Sequence, residues 1–283
     1  MATSTGRNIG VYEYGDPDGR PVFALHGTPS CGAGFDWTDV PARERGLRVI
    51  APDRPGIGHS DPVPLTSVAQ YAGEIVALAD ALAIERFLVL GYSGGGPYAL
   101  AVAHGAGARV ESATIVSGAG EIGAWARWTD LSRSDRQLTW LSLHAPAAAR
   151  AVLRVADVGA RAAPRVALWS VEAELSKCDR QVLRGLGSAE ALALFTQALA
   201  GSAAGAVNDY ALLARPWDLN LTEISVPVHC WHGTADTLVP LAHTEALLER
   251  IPHGSLTTWP DEGHLALITH VAEVLDDLRA MRG

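Results

Sequence analysis

The sequence predicts an α/β fold: a mostly parallel central sheet flanked by helices, with a helical insertion. Three observations lead there. Short apolar runs alternate with helical patterns from Ile9 to Val116, and again from Val226 to Met281. Glycine-rich segments follow those runs directly, at the carboxyl ends of parallel strands, where such folds place their sites. Between Gly120 and about Ala214 the alternation stops, and only helical patterns remain.

Taken in order, Ile9 to Tyr14 alternates as a strand, and Asp16-Pro17-Asp18-Gly19 is a turn. Val22 to Leu25 is the next strand and runs into His26-Gly27-Thr28-Pro29. Leu47 to Ala51 is a third, ending in Asp53-Arg54-Pro55-Gly56-Ile57-Gly58-His59-Ser60. Ser67 to Ile84 sets Val68, Tyr71, Ala72, Ile75, Leu78, Ala79 and Leu82 on one helical face, with Ser67 and Gln70 spaced as a capping box. Phe87 to Leu90 is a buried strand, Pro97 to Ala106 a helix and Ser112 to Val116 a strand. After the insertion come a strand at Val226 to Trp231, a helix started by Pro240, and a last strand at Ser255 to Trp259. Leu267, Val271, Val274, Leu278 and Met281 then form the buried stripe of one terminal helix. The simplest division is a core of residues 1–120 and 215–283 and a helical cap of residues 121–214.

The chain has 283 residues, of which 48% are hydrophobic, enough for a sizeable core and against global disorder. A net charge of −9 without a basic run argues against a nucleic-acid partner. Met1 to Gly10 has no apolar segment of the signal-peptide kind, and no stretch approaches the ~20 apolar residues of a membrane span. Cys31, Cys178 and Cys230 are odd in number and far apart, as reduced thiols would be. These features predict a cytoplasmic protein whose partner is a small-molecule substrate, neither nucleic acid nor membrane; they leave the oligomeric state open.

The chemistry centres on Gly91-Tyr92-Ser93-Gly94-Gly95, between a strand and a helix. A serine exposed on so sharp a turn needs a strained backbone and very small neighbours. Its hydroxyl needs a base, and the base needs a group to hold it. The order Ser, Asp, His is supplied by Ser93, by Asp236 after the penultimate strand and by His264 after the last. The oxyanion hole needs two amides; Gly94 and Thr28 are the candidates. Singly, each residue has a plainer reading: His264 a solvated loop residue, Asp236 a turn residue before a helix, His26-Gly27 a strand-ending turn. Cys31 is a rival nucleophile without an elbow, His59 a second base in a turn-like run, Glu121 a substitute acid. No metal site is expected, because His26, His232 and His264 sit in different loops without ligand spacing.

Together these motifs resemble the α/β-hydrolase fold superfamily, in particular its capped small hydrolases. The resemblance rests on His26-Gly27-Thr28-Pro29, Asp53 to Ser60, Gly91 to Gly95, His232-Gly233-Thr234-Ala235-Asp236 through Pro240, and Glu262-Gly263-His264. It implies Ser93 as nucleophile, Asp236 as acid, His264 as base, a cap from about Glu121 to Ala214, and no cofactor. It also implies an esterase-like enzyme acting on a carboxylic ester, lactone or thioester of a small, largely apolar molecule. Three further readings stay open: a carbon–carbon bond hydrolase of a diketone, a cofactor-free cyclase or lyase, and a ligand-binding receptor. Family members that are dehalogenases or epoxide hydrolases place an aspartate where Ser93 stands, which disfavours those activities. Thr28-Pro29-Ser30 departs from the Gly-Gly-Pro-Gly loop of proline iminopeptidases.

Every catalytic candidate lies outside the insertion, so the core is expected to set the chemistry and the cap the substrate. The insertion holds Trp125, Trp128, Trp140, Trp169, Phe195 and Tyr210. Most should form its own core, and one or two should line the cleft, with Trp125 and Trp128 favoured as substrate contacts. An ester with a bulky apolar portion should then outcompete a charged one.

Overall fold

A seven-stranded sheet runs in the order β1-β3-β2-β4-β5-β6-β7. Its strands are β1 (Val11–Gly15), β2 (Arg20–Leu25), β3 (Leu47–Pro52), β4 (Phe87–Tyr92), β5 (Val110–Val116), β6 (Val228–Gly233) and β7 (Gly254–Trp259). The structure is a computed structural model and describes residues 1, 6–186, 192, 195–200 and 202–281. All neighbouring strands are parallel except the edge strand β1, which pairs antiparallel with β3, Val11 opposite Pro52. Leu25 lies opposite Gly91, and β6 pairs with β5 and β7. The carboxyl ends of β2, β4, β6 and β7 therefore bring their loops to one edge.

Both faces of the sheet are covered, which is why β2 to β5 read as continuous apolar runs. On one face Phe23, Val89 and Ile115 join a cluster with Tyr71, Ile75, Tyr98 and Trp217. Its helices are α2 (Tyr71–Ala81) and α3 (Gly96–Gly105), and the sheet's other face is covered in part by α1 (Asp39–Arg43). There Val22, Val49 and Leu90 pack with Leu267, Val274 and Leu278.

Three local expectations are corrected. Ser67 makes no capping bond. Gln70 instead closes on Thr66, accepting from its amide at 2.9 Å and donating to its hydroxyl at 3.0 Å, before a 3₁₀ turn leads into α2. The terminal stripe is divided between two helices, Ala266–Thr269 and Val271–Ala280, separated at His270, whose ring stacks on Trp259 at 5.0 Å. Trp140 and Trp169 do not enter the insertion's core; they are 51% and 72% exposed.

Between β5 and β6 the described residues contain helices and no strand: α4 (Arg133–His144), α5 (Pro146–Ala162), α6 (Pro164–Glu172), α7 (Lys177–Leu186) and α8 (Ala203–Leu213). The helix α9 (Leu241–Leu248) follows β6. Among the described residues no helix is long and apolar enough to cross a membrane.

The helix α8 is buried along most of its length and meets the Asp53–Ser60 loop, where Gly205 lies so close to the Gly56 carbonyl that a Cβ has no room. Here Asp209 forms a two-pronged ion pair with Arg54, Nε to Oδ1 at 2.9 Å and Nη2 to Oδ2 at 2.7 Å, both side chains almost fully buried. Tyr98 donates to Oδ1 at 2.6 Å and Thr28 to Oδ2 at 2.5 Å. Burial alone would push the Asp209 carboxyl up; the guanidinium and these donors hold it below its ordinary range. Removing one partner strands the other charge in the interior. Asp209→Ala should therefore cost about 3–5 kcal/mol, read from the urea midpoint. Arg43→Ala, which removes an exposed pair with Asp39, should leave the midpoint in place.

Candidate active site

The turn after β4 carries Ser93 at φ +55°, a conformation that L-residues rarely adopt. The surroundings enforce it. Gly91 faces Ala99 and the Gly95 carbonyl, and Gly95 lies against the Leu25 carbonyl, so neither position admits a side chain. Gly27 packs against the nucleophile candidate: a Cβ there would lie 3.3 Å from Ser93 Cβ. Gly94 approaches Thr28 as closely; its Cβ position lies 3.2 Å from the Thr28 nitrogen. Backbone of the His26–Pro29 loop and of the Gly91–Gly95 turn thus meets beside Ser93. The Gly94 amide lies in the 3₁₀ turn Ser93–Gly95 that leads into α3, at the end where the helix dipole favours negative charge.

The loops after β6 and β7 supply the other two residues. His264 Nδ1 lies 2.8 Å from Asp236 Oδ2. Asp236 Oδ1 accepts from the amides of Leu238 and Val239, each at 2.9 Å, so Asp236 is both the turn residue and the histidine's partner. His232 Nε2 stands 3.4 Å from Oδ2 but is closer to the Val239 carbonyl, at 2.8 Å. Burial would raise the Asp236 carboxyl, yet the imidazoles of His264 and His232 hold it well below the usual carboxylate range. With Nδ1 committed to Asp236, Nε2 of His264 is the nitrogen left for proton transfer. Tyr92 steadies this loop, donating its hydroxyl to the His264 carbonyl at 3.0 Å with its ring 5.3 Å from the imidazole.

Ser93, Gly94, Thr28 and His264 line one cavity of about 260 Å³. The span between β5 and β6 supplies much of the lining, including Leu131, Asp135, Thr139, Tyr210 and Leu213. Of the six aromatics expected to compete for this role, Tyr210 is the one that lines the cavity. Trp125 and Trp128 do not, which corrects their expected place. Trp125 packs edge-on against Trp217 at 5.5 Å, under the Arg250 guanidinium, drawn into the core cluster by its neighbours after β5. Glu121 is occupied by the Trp217 amide at 2.9 Å. His59 is exposed outside the cavity. Cys31 is buried, and that burial pushes its thiol up to about 11. His26 is a buried structural residue: Nδ1 lies 2.8 Å from the Gly27 carbonyl and Nε2 accepts from the Arg54 amide at 3.2 Å. Burial and the Arg54 charge push its imidazole down to about 3, so it stays neutral.

Sequence reasoning missed the residues that hold the site. Arg54 donates to the carbonyls of His26 and Gly27 and, at 2.9 Å, to the Thr28 hydroxyl. Its signal was an arginine inside a motif that the triad does not use. Asp209 was legible as the one acid in the apolar helix Ala203–Leu213. Asp179, in the first turn of α7, is 1% exposed and accepts from the Leu265 amide at 2.7 Å and from Ser176 Oγ at 2.6 Å. Gly263 leaves room for that carboxylate and nothing more. Nothing in the sequence linked Asp179 to a loop 86 residues away.

A family model described as alpha/beta hydrolase fold matches residues 20–271. A non-heme chloroperoxidase from Streptomyces lividans is 29% identical over 286 residues, covering 92% of this chain and 95% of that protein. Among solved structures, a bromoperoxidase from Bacillus anthracis superposes with a TM-score of 0.75 at 19% identity, over 98% of this chain and 97% of its own. An esterase from Rhodococcus sp. ECU1013 gives 0.71 at 24% identity, over 99% and 98%.

Three carboxylates surround His264. Burial lowers the imidazole's proton affinity, but Asp236 first, then Asp179 and Asp135, raise it above the ordinary value. A reaction that needs the neutral ring is therefore lost, as pH falls, at a higher pH than the ordinary histidine value of about 6.5 would give. Asp179→Asn keeps an acceptor for the Leu265 amide and removes a charge. The acid limb of kcat/KM should then move to lower pH, as read from a full pH profile; a limb that stays in place would show that the Asp179 charge does not act on His264.

Proposed function

The chain belongs to the α/β-hydrolase fold family and is an enzyme of it; on that premise we propose a serine hydrolase acting on a carboxylic ester, lactone or thioester of a small, largely apolar molecule. The observation that carries this reading is the 2.8 Å contact with Asp236 of His264, which lines the same cavity as Ser93 on its strained turn. In the proposed cycle Ser93 Oγ attacks the carbonyl carbon while His264 Nε2 takes its proton. The tetrahedral oxyanion is held by the amides of Thr28 and Gly94. Collapse expels the alcohol, which leaves with the proton from His264, and an acyl group stays on Ser93. Water then attacks that ester, giving a proton to His264, and the acid departs as Ser93 regains its hydrogen. Asp236 keeps the imidazole oriented and stabilises its cation. Residues 121–214 act as the cap: Asp135, Thr139, Tyr210 and Leu213 face the cleft from that span.

The name of the Streptomyces relative favours a second reading on the same residues. Hydrogen peroxide attacking the acyl-enzyme in place of water would release a peroxy acid, an oxidant of halide. Bromination that requires both peroxide and a carboxylic acid would support it; bromination in the absence of any carboxylic acid would exclude this route.

Fluorophosphonate should label Ser93 and no other residue, as mapped by mass spectrometry. Ser93→Ala should fold and lose turnover of p-nitrophenyl butyrate by roughly 10⁴-fold or more. Asp236→Asn should cost roughly 10⁴-fold, whereas Glu121→Gln should stay active. No step uses a metal, so activity should survive exhaustive treatment with EDTA; loss restored by zinc would overturn the mechanism.

A further inference from the structure

The buried carboxylates of this protein are mostly well provided for. Asp209 has Arg54. Asp236 has a histidine and two amides. Asp53 accepts from the amides of Gly32 and His59 at 2.8 and 2.9 Å. Asp179 has an amide and a hydroxyl and is closed in by Gly263.

Asp135 differs. It is half-buried, stands in the first turn of α4 and lines the same cavity as Ser93. Its Oδ1 accepts from the Tyr210 hydroxyl at 2.8 Å and its Oδ2 from the Ser132 hydroxyl at 2.9 Å. Both partners are neutral, and among the described residues no arginine, lysine or histidine forms an ion pair with it. An ionised carboxylate offers about four acceptor positions, and two are used. The other positions belong to a residue that lines a cleft formed otherwise mainly by apolar and small residues. Burial and the nearby Glu174 push its carboxyl up, against the pull of Tyr210, Ser132 and His264. An acid so placed is costly to keep ionised unless something in the cleft completes its hydrogen bonds.

We propose that Asp135 selects the substrate: the ester taken by this cleft carries a hydrogen-bond donor, a protonated amine or a hydroxyl, that donates to Asp135. This rests on the serine-hydrolase reading. It narrows the expected preference for apolar esters: the body of the molecule is apolar and one donor is recognised. An ester bearing a carboxylate meets like charge, and one bearing a methyl group leaves Asp135 desolvated without a partner. Sites built to bind a donor can reject the analogue lacking it by ~10⁴–10⁵; in a cleft that opens to water we expect about 100-fold.

The test is a set of esters of matched length ending in an ammonium, a hydroxyl, a methyl or a carboxylate. One series bears the group on the acyl portion and the other on the alcohol portion. The wild-type protein should prefer an ammonium or hydroxyl ester to its methyl counterpart in kcat/KM, and the two arms show which donor is read. Asp135→Asn, which keeps the side chain's shape and removes its charge, should bring the ammonium-to-methyl ratio towards unity and relieve the penalty on the carboxylate ester. A purely structural role would lower all four esters alike, and that result would overturn the proposal. So would a wild-type protein that hydrolyses the methyl esters fastest in both series. If Asp135→Asn does not fold, the wild-type ratio and Asp135→Glu decide. Fluorophosphonate labelling separates the two levels. Labelling at Ser93 without donor preference removes this inference alone; no labelling and no hydrolysis of any ester removes the serine-hydrolase reading and this with it.

Discussion

The Arg54–Asp209 ion pair is the contact on which the site depends. One guanidinium reaches the carbonyls of His26 and Gly27, the Thr28 hydroxyl and both oxygens of Asp209. The loop that brings Thr28 to Gly94 is therefore held from behind by a charge, and that charge is balanced by a residue of α8. Tyr98 completes the arrangement, with its hydroxyl on Asp209 and its ring 4.7 Å beneath the guanidinium. A lysine could not replace Arg54, because the planar fork makes several bonds at fixed angles. The same contact joins the Thr28 loop to α8, which adds Tyr210 and Leu213 to the cleft lining.

His264 shows a second coupling of this kind. Its proton affinity results from opposed effects: burial disfavours the cation, and the carboxylates of Asp236, Asp179 and Asp135 favour it. Only Asp236 comes from the core. Asp179 also bonds the amide next to the imidazole, so α7 affects both the charge and the position of the ring.

The sheet was legible because strands buried on both faces must be apolar throughout, and because each glycine-rich loop marks a close approach. Gly91 and Gly95 were read correctly as positions without room for a side chain, and the structure gives the obstacles as Ala99 and the Leu25 carbonyl. Strand ends moved by one or two residues, as local patterns allow. The antiparallel β1 was not legible, since a strand's direction depends on how the connecting loop returns. The aromatics of the insertion misled for a related reason. Trp125 and Trp128 lie near the cleft in sequence, but Trp125 is claimed by Trp217, a residue beyond the far end of the insertion. Burial between distant segments leaves no periodic trace.

The sequence expectation places the chemistry in the core and the selection of substrate in the cap. The span between β5 and β6 sends three acids inward, and each meets a different requirement. Asp209 balances the cation that holds the Thr28 loop. Asp179 fixes the loop of His264. Asp135 faces the cleft. Asp209 and Asp179 hold loops that would carry out the reaction, and Asp135 joins Asp179 in the negative field beside His264 that favours its imidazolium. In the proposed mechanism the insertion would therefore contribute to the electrostatics of the chemical step as well as to the lining of the pocket. Asp179 and Asp209 are tied to the residues beneath them, while Asp135 both lines the cleft and acts on His264.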